Sequence, residues 1–529
     1  FIVTLLTTLP NSFALNAWAT ECREESAPAP SEIAPSMTES IVHAQQLAAQ
    51  AQTLYERGRF RESLPLAMSS MRLFEHHLAS NATALAQAHL LTGRLQRWLG
   101  RLVESEEHLR RALTIQKATS GQESPEIVEI LIDLVLLHLY RGDLHQARSL
   151  TQTAQRILDG KVSQDHPDLV RLEVYLGEIV FIEGSYEESR RRYETAIAAF
   201  ERMPLPPVFE YGYALNRLSR VHEHRGELEQ ARTHVQRALH IRQQALGREH
   251  PLVAVTMLRL AQLVQRVENP MEKPSRALNL AEEVVRMQER SFGPCHPEVA
   301  MALRIPMQVQ LIRSNISEAR LLAERIVSIH RNTKSPDTHL LAESLFLLAD
   351  VRSSSNDTTG YTQALALLSE SVDLLQANPN YRIQLAETLI KRGYTREHLK
   401  DLANAKSDYL QAAEYLRPYP HHPSQRGVHF HLALVNAAAG DRSEACTHFQ
   451  EAHRRGVVRA ESAHILPRAV HDQYRGQDQE LLAGYLRLVS NLANDSPDSP
   501  CVRDAFRTVE QTRNRAVQAA VTSAWKRRT

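Results

Sequence analysis

The sequence contains few of the features that mark an enzyme or a membrane protein. The phosphate-binding patterns GxxxxGK(S/T) and GxGxxG, the nucleophile pattern GxSxG and the metalloprotease pattern HExxH do not occur in its 529 residues. Beyond the amino-terminal segment, no stretch approaches the roughly 18 apolar residues that cross a bilayer. We therefore predict a protein that is not an enzyme, needs no cofactor and has no membrane span in its mature chain.

Closely spaced cysteines and a surplus of charge are also lacking. The four cysteines, Cys22, Cys295, Cys446 and Cys501, are too far apart to form a CxxC or zinc-type pair. Their spacing does not reveal any pairing, and we expect no disulfide framework. The 62 Lys and Arg residues balance 61 Asp and Glu residues, so bulk charge favours neither nucleic acid nor a membrane surface. We expect no nucleic-acid partner.

Glycine is sparse, but its placement is regular. Five glycines recur at intervals of 42 residues, namely Gly58, Gly100, Gly142, Gly184 and Gly226. Each is followed by an apolar residue two positions later and by small residues five and twelve positions later. Small residues seven apart share one helix face and let facing helices approach closely, and glycine suits the intervening turn. The pattern predicts stacked helix–turn–helix units.

The unit is clearest over residues 214–255. Its second helix carries Leu228, Ala231, Val235 and Ala238 with the spacing of an amphipathic helix. Further along the chain the first small position recurs as Ala277, Ala319, Ala364, Ala405 and Ala445. The extra residues between these copies fall in polar turns, where repeat arrays accept insertions. We predict about ten hairpins between residues 38 and 456.

This pattern resembles the tetratricopeptide repeat, in the 42-residue version typical of kinesin-light-chain-like proteins. The glycine turn, the two small positions and the linkers His166-Pro167, His250-Pro251 and His296-Pro297 carry the resemblance. Val135 departs from it, because that position in the first helix is ordinarily small. The resemblance implies an all-α, right-handed superhelical α-solenoid whose concave groove binds a peptide or a partner protein.

In such arrays the first helix of each hairpin lines the groove, and eight residues are predicted there: Arg94, Arg97, Arg171, Tyr213, Asn216, Arg220, Arg259 and Arg304. Asn216 matches the asparagine that family members use against a peptide backbone. An arginine-lined groove favours an acidic peptide or a terminal carboxylate. The alternative is that these arginines are solvated or paired with glutamates of adjacent repeats. In either case the predicted role is that of a non-catalytic interaction scaffold, and the oligomeric state stays open.

Histidine is abundant, with 25 copies, so a metal site was considered. His222 and His224 are two apart on a predicted helix and point in different directions, as do His429 and His431. A zinc site built from His429, Cys446 and His448 is conceivable, but surface and turn histidines are the simpler account. We predict no metal site.

The two ends of the chain differ from the repeats. Residues 1–19 are largely apolar and end in Ala17-Trp18-Ala19, which resembles a secretory signal without its basic start. Residues 20–37 are predicted to be a disordered linker. Residues 457–529 form a predicted helical extension that loosely resembles the connector to caspase-like CHAT domains in bacterial repeat proteins. We expect an exported protein, with a cytoplasmic one as the alternative. The alternative function is the sensor half of a CHAT-type peptidase.

Overall fold

The structure is a computed structural model that describes residues 37–76, 82–267, 275–333, 338–377, 381–419, 422 and 424–462. The predicted all-α fold is confirmed, because α-helices and short helical turns are the regular elements of these ranges. A 3-10 turn at Pro125–Ile127 precedes α5. The helices are α1 (Met37–Glu56), α2 (Phe60–His76), α3 (Ala82–Trp98), α4 (Leu102–Ser120), α5 (Val128–Tyr140), α6 (Leu144–Leu158), α7 (Pro167–Ile182), α8 (Tyr186–Arg202), α9 (Val208–His224), α10 (Leu228–Leu246), α11 (Pro251–Val267), α12 (Arg276–Phe292), α13 (Pro297–Ile312), α14 (Ile316–Arg331), α15 (Thr338–Ser353), α16 (Thr358–Gln376), α17 (Arg382–His398), α18 (Leu402–Leu416), α19 (Ser424–Ala438) and α20 (Arg442–Ser462).

Each odd-numbered helix and the helix after it form a hairpin, which gives hairpins 1 to 10 over the described residues. The turn glycines of hairpins 1 to 5 have φ between 72° and 86°. This left-handed conformation suits glycine, which has no Cβ to clash with the carbonyl. In hairpins 7, 8 and 9 the left-handed residue is Ser314, Asn356 or Lys400. The turn is thus preserved where the glycine pattern is lost.

The small residues lie where the two helices of a hairpin touch. Ser63, Ser105 and Ser189 are fully buried, and each hydroxyl donates to a carbonyl of the first helix twelve residues earlier. A methyl group added at Gly177 would lie 2.8 Å from the Tyr193 ring. Close helix contact therefore requires small residues on both sides, as the period predicted.

The chain divides into two compact units. The first contains hairpins 1 to 6 and α13, and the second contains α15 to α20. Helix α14 is shared, with 316–327 in the second unit and the residues from Ser328 onward in the first. Among the helices described, none is long and apolar enough to cross a bilayer.

Two cysteines lie in the described ranges, and both Cys295 and Cys446 are disulfide-bonded. The expectation of no disulfide framework is therefore wrong for these two side chains. The signal-like segment 1–19 lies outside the described residues, as does the linker as far as residue 36. The carboxy-terminal extension is described only as far as Ser462, where α20 ends. Its resemblance to a CHAT connector stays a prediction.

Candidate functional site

An aromatic cluster closes the first unit on itself. Phe60 of hairpin 1 stacks on Phe292 of hairpin 6, with ring centroids 5.7 Å apart. Trp98 of hairpin 2 stacks on Phe60 at 5.0 Å and meets Phe209 of hairpin 5 edge-on at 6.1 Å. Hairpins far apart in sequence therefore pack side by side, so the first unit completes a turn of a superhelix. We call this contact the seam.

The glycine turn of hairpin 1 also takes part in the seam. A Cβ at Gly58 would lie 2.2 Å from Cδ of Pro251, the first residue of α11. At the next turn, Gly100 faces the His296 ring, whose Nε2 would be 3.7 Å from an added Cβ. Only a bare backbone allows Gly58 to meet Pro251 this closely.

Charged residues of several hairpins surround Tyr140 of the first unit. The side chain of Tyr140, at the end of α5, is 52 % exposed, so solvent reaches it. Burial nevertheless raises its pKa, and the charges that act on its hydroxyl belong to Arg97, Glu298, Arg217 and Arg242. These residues come from hairpins 2, 5 and 7. Charges from three hairpins thus act on one hydroxyl, and we call the surroundings of Tyr140 the inner chamber.

All eight predicted residues lie on first helices of the first unit. Arg94 and Arg97 belong to α3, Arg171 to α7, Arg259 to α11 and Arg304 to α13. Tyr213, Asn216 and Arg220 lie on α9. The structure therefore places them on the side of the hairpins that the resemblance implied, but it does not leave them equally available to a ligand.

Arg94 and Arg97 share a carboxylate of the next hairpin. Arg94 Nε donates to Asp133 Oδ2 at 2.7 Å, and Arg97 Nη2 donates to Asp133 Oδ1 at 3.3 Å. Arg94 also reaches Glu129 at 2.7 Å. Asp133 is buried, so this is an enclosed ion pair in which each charge depends on the other. The interaction neutralises both arginines.

The same kind of pair joins hairpins 4 and 5. Arg171 Nε donates to Glu210 Oε1 at 2.7 Å, and in the reverse direction Arg217 Nε lies 3.0 Å from Glu178 Oε2. Tyr175 donates its hydroxyl hydrogen to Glu210 at 3.0 Å. Both glutamates are buried. Arg171 is therefore committed to the neighbouring repeat, as the alternative interpretation of the sequence proposed.

These pairs follow a fixed offset along the chain. Arg94–Asp133, Arg171–Glu210 and Glu178–Arg217 all join residues 39 positions apart, one repeat less about one helical turn. The positions of Arg94 and Asp133 correspond, relative to the turn glycine, to those of Glu178 and Arg217. Between hairpins 5 and 6, the residues at these two positions are Arg220 and Arg259. Two arginines meet where an ion pair would otherwise form.

Arg259 makes polar contacts with other residues of hairpin 5. Its Nε donates to Ser219 Oγ at 3.2 Å, and Nη2 pairs with Glu223. Arg220 has no carboxylate partner among the described residues, and its guanidinium carbon lies 4.9 Å from the centroid of the Phe181 ring. Burial and then the positive charge of Arg217 lower its pKa. Arg220 is thus a partly exposed cation without an ion-pair partner, and we call its surroundings the Arg220 site.

A second arginine of hairpin 5 is buried without an ion-pair partner among the described residues. Arg242 of α10 is 1 % exposed, and its hydrogen bonds go to neutral acceptors, namely Leu252 O, Thr256 Oγ1 and Phe209 O. Burial lowers its pKa to about 10. Gly212 makes room for it, because a Cβ there would lie 2.3 Å from its Nε. Arg242 lowers the pKa of the Tyr140 hydroxyl without contacting solvent, against the larger effect of burial.

The other predicted residues have varied environments. Tyr213 is partly exposed and supports Arg217, whose guanidinium carbon lies 4.7 Å from its ring centroid. Asn216 Nδ2 donates to Thr256 Oγ1 of the next hairpin at 3.3 Å, and its Oδ1 is buried without a partner. Arg304 is partly buried on α13. Asn216 therefore joins hairpins 5 and 6 in this structure.

Histidines come together, but not as a metal cluster. His429 and His448 approach to 3.1 Å between their Nδ1 atoms, and His89 and His108 do the same in hairpin 2. Cys446, the third member of the zinc site considered above, is disulfide-bonded. Within the described ranges no group of three histidine, cysteine, aspartate or glutamate residues is arranged to hold a metal ion.

Several residues of the inner chamber were not identified from the sequence, namely Asp133, Tyr140, Glu178, Glu210, Arg242 and Glu298. The offset of 39 residues between opposite charges would have identified three of the acids. Tyr140 and Glu298 carry no such signal, because they face each other only once the seam has formed.

Comparison with known proteins agrees with this architecture. The tetratricopeptide-repeat family model matches residues 210–290. Kinesin light chain-related protein 2 of Arabidopsis thaliana is 23 % identical over 243 residues, covering 46 % of this chain and 36 % of that protein. The human clustered mitochondria protein homolog is 22 % identical over 199 residues, covering 38 % of this chain and 15 % of its own length. The predicted tetratricopeptide repeats of the kinesin-light-chain-like kind are thus confirmed by the family match over residues 210–290 and by these relatives.

The alignments span little more than a third of the curated relatives' length at most. Among solved structures, similarity is found to BtubC (BKLC) of P. vanneervenii, with a TM-score of 0.35, 17 % identity, and coverage of 47 % of this chain and 91 % of that one. It is also found to the signal transduction ATPase PH0952 of Pyrococcus horikoshii, which has a tetratricopeptide repeat sensor. There the TM-score is 0.47, the identity 14 %, and the coverage 80 % of this chain and 66 % of that chain. Tetratricopeptide repeats of this kind support a role as a protein-interaction scaffold.

Proposed function

We propose that the first unit is a non-catalytic scaffold that holds an extended segment of a partner protein in its inner chamber, with an acidic group of that segment at Arg220. Of the eight predicted groove residues, the proposal assigns the binding of the acidic group to Arg220. Arg94, Arg97, Arg171 and Arg259 each have an acidic partner in the protein. A ligand carboxylate at these positions would have to displace an existing ion pair.

The observation that supports the proposal is the meeting of Arg220 with Arg259. A guanidinium without a counter-charge, partly removed from water, is stabilised when a carboxylate binds, because charge-assisted hydrogen bonds are the stronger ones. The aromatic ring of Phe181 beneath Arg220 supports it from one side. A carboxylate at this position would offset the positive charge of Arg220.

The charge pattern favours a protein partner over a nucleic acid. Nucleic-acid surfaces present stripes of cations that neutralise many phosphates. In the inner chamber the cations alternate with buried acids such as Asp133, Glu178 and Glu210. One isolated positive centre suits a single side-chain or terminal carboxylate.

Reversal of the charge at Arg220 tests the proposal. The Arg220→Glu chain should fail to retain the partner that the unaltered chain retains from a native extract, as identified by mass spectrometry. The matched control is Arg232→Glu, which alters an exposed arginine on the second helix of the same hairpin, paired with Glu229. Circular dichroism should show equal helicity for both. If both variants retain the partner equally, the binding surface lies elsewhere.

We also propose that the protein is exported, as the signal-like amino-terminal segment predicted. The disulfide bonding of Cys295 and Cys446 supports this, because structural disulfides persist mainly in oxidising compartments. Cell fractionation combined with thiol labelling tests it. Both cysteines should resist labelling until a reductant is added, and the chain should leave the cytoplasm. Free thiols on a cytoplasmic chain would contradict the proposal and favour the alternative.

A further inference from the structure

We infer that the seam of the first unit is a pH-sensitive contact, which stays closed while His250 and His296 are neutral and opens when they are protonated. The two histidines precede the prolines that begin α11 and α13. Both rings lie against the glycine turns of hairpins 1 and 2. The inference goes beyond the proposed function and does not depend on it, because it concerns contacts within the chain.

Both rings use Nδ1 to cap the helix that follows. Nδ1 of His250 accepts a hydrogen bond from the Leu252 backbone N–H at 3.1 Å, and Nδ1 of His296 accepts one from the Glu298 backbone N–H at 3.2 Å. This pattern assigns the ring hydrogen of the neutral state to Nε2. Protonation places a second hydrogen on Nδ1, so it removes the cap and adds positive charge at the positive end of the helix dipole.

The opposite edge of each ring lies inside the seam. A Cβ at Gly58 would lie 3.2 Å from Cδ2 of His250, and a Cβ at Gly100 would lie 3.7 Å from Nε2 of His296. His250 is 5 % exposed, and Nε2 of His296 is buried. The His296 ring also stacks on Phe292 of the aromatic cluster, with centroids 4.5 Å apart. An imidazolium at either position would be withheld from water for as long as the seam stays closed.

The charges around the two rings favour the neutral state. Among the described residues no carboxylate acts on either ring. Burial, followed for His250 by the positive charge of Arg242, lowers the pKa of both rings to about 4. The backbone groups of Glu56 and Trp98, across the seam, oppose this in part. At the glycine that follows α12, an added Cβ would lie 2.9 Å from Nη1 of Arg61, which is another cation.

Hairpin 4 contains the same cap outside the seam. Nδ1 of His166 accepts a hydrogen bond from the Asp168 backbone N–H at 3.3 Å. The His166 side chain is 37 % exposed, and its Nδ1 lies 3.9 Å from Oδ2 of Asp168. Protonation there meets both water and a carboxylate. A His-Pro linker is therefore not sensitive to acid through its cap alone, and the seam makes the difference.

The protons taken up on opening determine the size of the effect. In the closed seam both rings have a pKa of about 4, whereas a histidine in water has its ordinary value of 6.5. The open state therefore binds protons that the closed state excludes, so closure weakens as the pH falls from 6.5 towards 4. Each histidine should weaken closure by up to about tenfold per pH unit, and the two together by up to about a hundredfold.

Fluorescence of Trp98 reports on the seam, because this ring stacks on Phe60 with centroids 5.0 Å apart. In every chain tested, Trp18 and Trp525 are replaced by phenylalanine, so that Trp98 is the single tryptophan. Acrylamide is the quencher, since it is neutral and its access does not depend on protein charge. Far-UV circular dichroism at each pH distinguishes opening of the seam from loss of the helices.

The decisive variant carries His250→Asn and His296→Asn together. Asparagine keeps an N-cap acceptor but has no titrating group, so the helix starts are preserved while the response to acid is removed. His166→Asn is the matched control, because it makes the same replacement at the cap outside the seam.

Between pH 6.5 and 4, the quenching constant of Trp98 should rise in the unaltered chain and in His166→Asn while the helical signal is retained. The double variant should show no rise over this range. Equal curves for the double variant and the unaltered chain would overturn the inference, as would a rise that coincides with loss of the helical signal.

The single variants keep the test decisive if the double variant is already open at neutral pH. His250→Asn and His296→Asn, each alone, should reduce the steepness of opening from about a hundredfold to about tenfold per pH unit. Unchanged steepness in both single variants would show that neither histidine controls the seam.

Discussion

Two contacts between consecutive hairpins use the same two positions of the repeat but carry different charges. One contact, or joint, lies between hairpins 2 and 3, and the other lies between hairpins 5 and 6. At the first, Arg94 meets Asp133 and forms a buried ion pair at 2.7 Å. At the second, Arg220 meets Arg259, which turns to Glu223 and leaves Arg220 without a carboxylate. The residue across the joint decides whether an arginine holds two hairpins together or stays available to a ligand.

The comparison shows why an arginine on the inner side of a repeat array is not by itself a binding residue. Where the partner position is acidic, the guanidinium belongs to the scaffold, and its loss is a matter of stability. Where the partner position is basic, the guanidinium does not stabilise the scaffold through an ion pair, and it remains able to bind a ligand.

The largest expected effect is on the paired joint. Asp133→Ala removes the shared partner of Arg94 and Arg97, which leaves Arg97 with an uncompensated buried charge while Arg94 keeps Glu129. We expect the free energy of unfolding to fall by about 3–5 kcal/mol, the usual cost of breaking a buried pair from one side. Arg220→Gln, which breaks no pair, should change it by less than about 0.5 kcal/mol. Urea unfolding followed by circular dichroism measures both, and equal losses would contradict the distinction between the joints.

The next effect concerns the seam, which borders the unpaired joint through Pro251 at the start of α11. Gly58→Ala should cost about 1–2 kcal/mol for its left-handed backbone and a further 1–3 kcal/mol for the collision with Pro251. Gly142→Ala is the matched control, since its φ of 74° is similar but its Cβ would meet open space. Thermal unfolding should separate the two. Equal shifts in melting temperature would mean that the seam contributes nothing to stability.

A third change converts one joint into the other. Arg259→Asp places a carboxylate opposite Arg220, as Asp133 stands opposite Arg94, while Glu223 keeps its contact with Arg266. The partner segment that the unaltered chain retains should bind roughly tenfold more weakly or worse, because Arg220 now has an internal partner. Fluorescence anisotropy measures the affinity. Undiminished binding would show that the carboxylate does not use Arg220.

The smallest effect is the pH dependence of stability due to Glu298. Because burial raises its folded pKa above the ordinary value of 4.5, the folded state holds this proton more tightly than the unfolded state. Stability therefore falls as the pH rises from 4.5 through the folded pKa. Glu298→Gln should be more stable than the unaltered chain at neutral pH, with no gain below pH 4.5. Thermal melts across this range check the sign, and a loss of stability at neutral pH would reveal an internal partner.

The sequence alone was sufficient to predict the helical hairpins. The turn glycines, the small positions and the His-Pro linkers report local requirements, namely a left-handed residue, a close helix contact and a helix start. Such requirements act within one repeat, so they recur with its period and can be read without a structure. The division into two units and the disulfide bonding of Cys295 and Cys446 left no periodic signal.

The site was predictable only in part. Counting back from the turn placed the eight residues on first helices, since that depends on helix geometry alone. Whether Arg94 is neutralised depends on the rotation between consecutive hairpins, which brings residues 39 positions apart into contact. The chamber around Tyr140 depends on the sum of several such rotations. Small differences in the rotation between consecutive hairpins add up along the array, and the total rotation cannot be predicted from the sequence.

The seam has a consequence for how the array can change in length. Repeat arrays ordinarily tolerate the gain or loss of a unit, because each repeat contacts only its neighbours. Here Phe60 and Trp98 must meet Phe292, so the number of hairpins between them is fixed by the circumference of one turn. An additional hairpin inserted between them would separate these aromatic side chains and expose them to water. Duplication is therefore tolerated only outside this closed stretch.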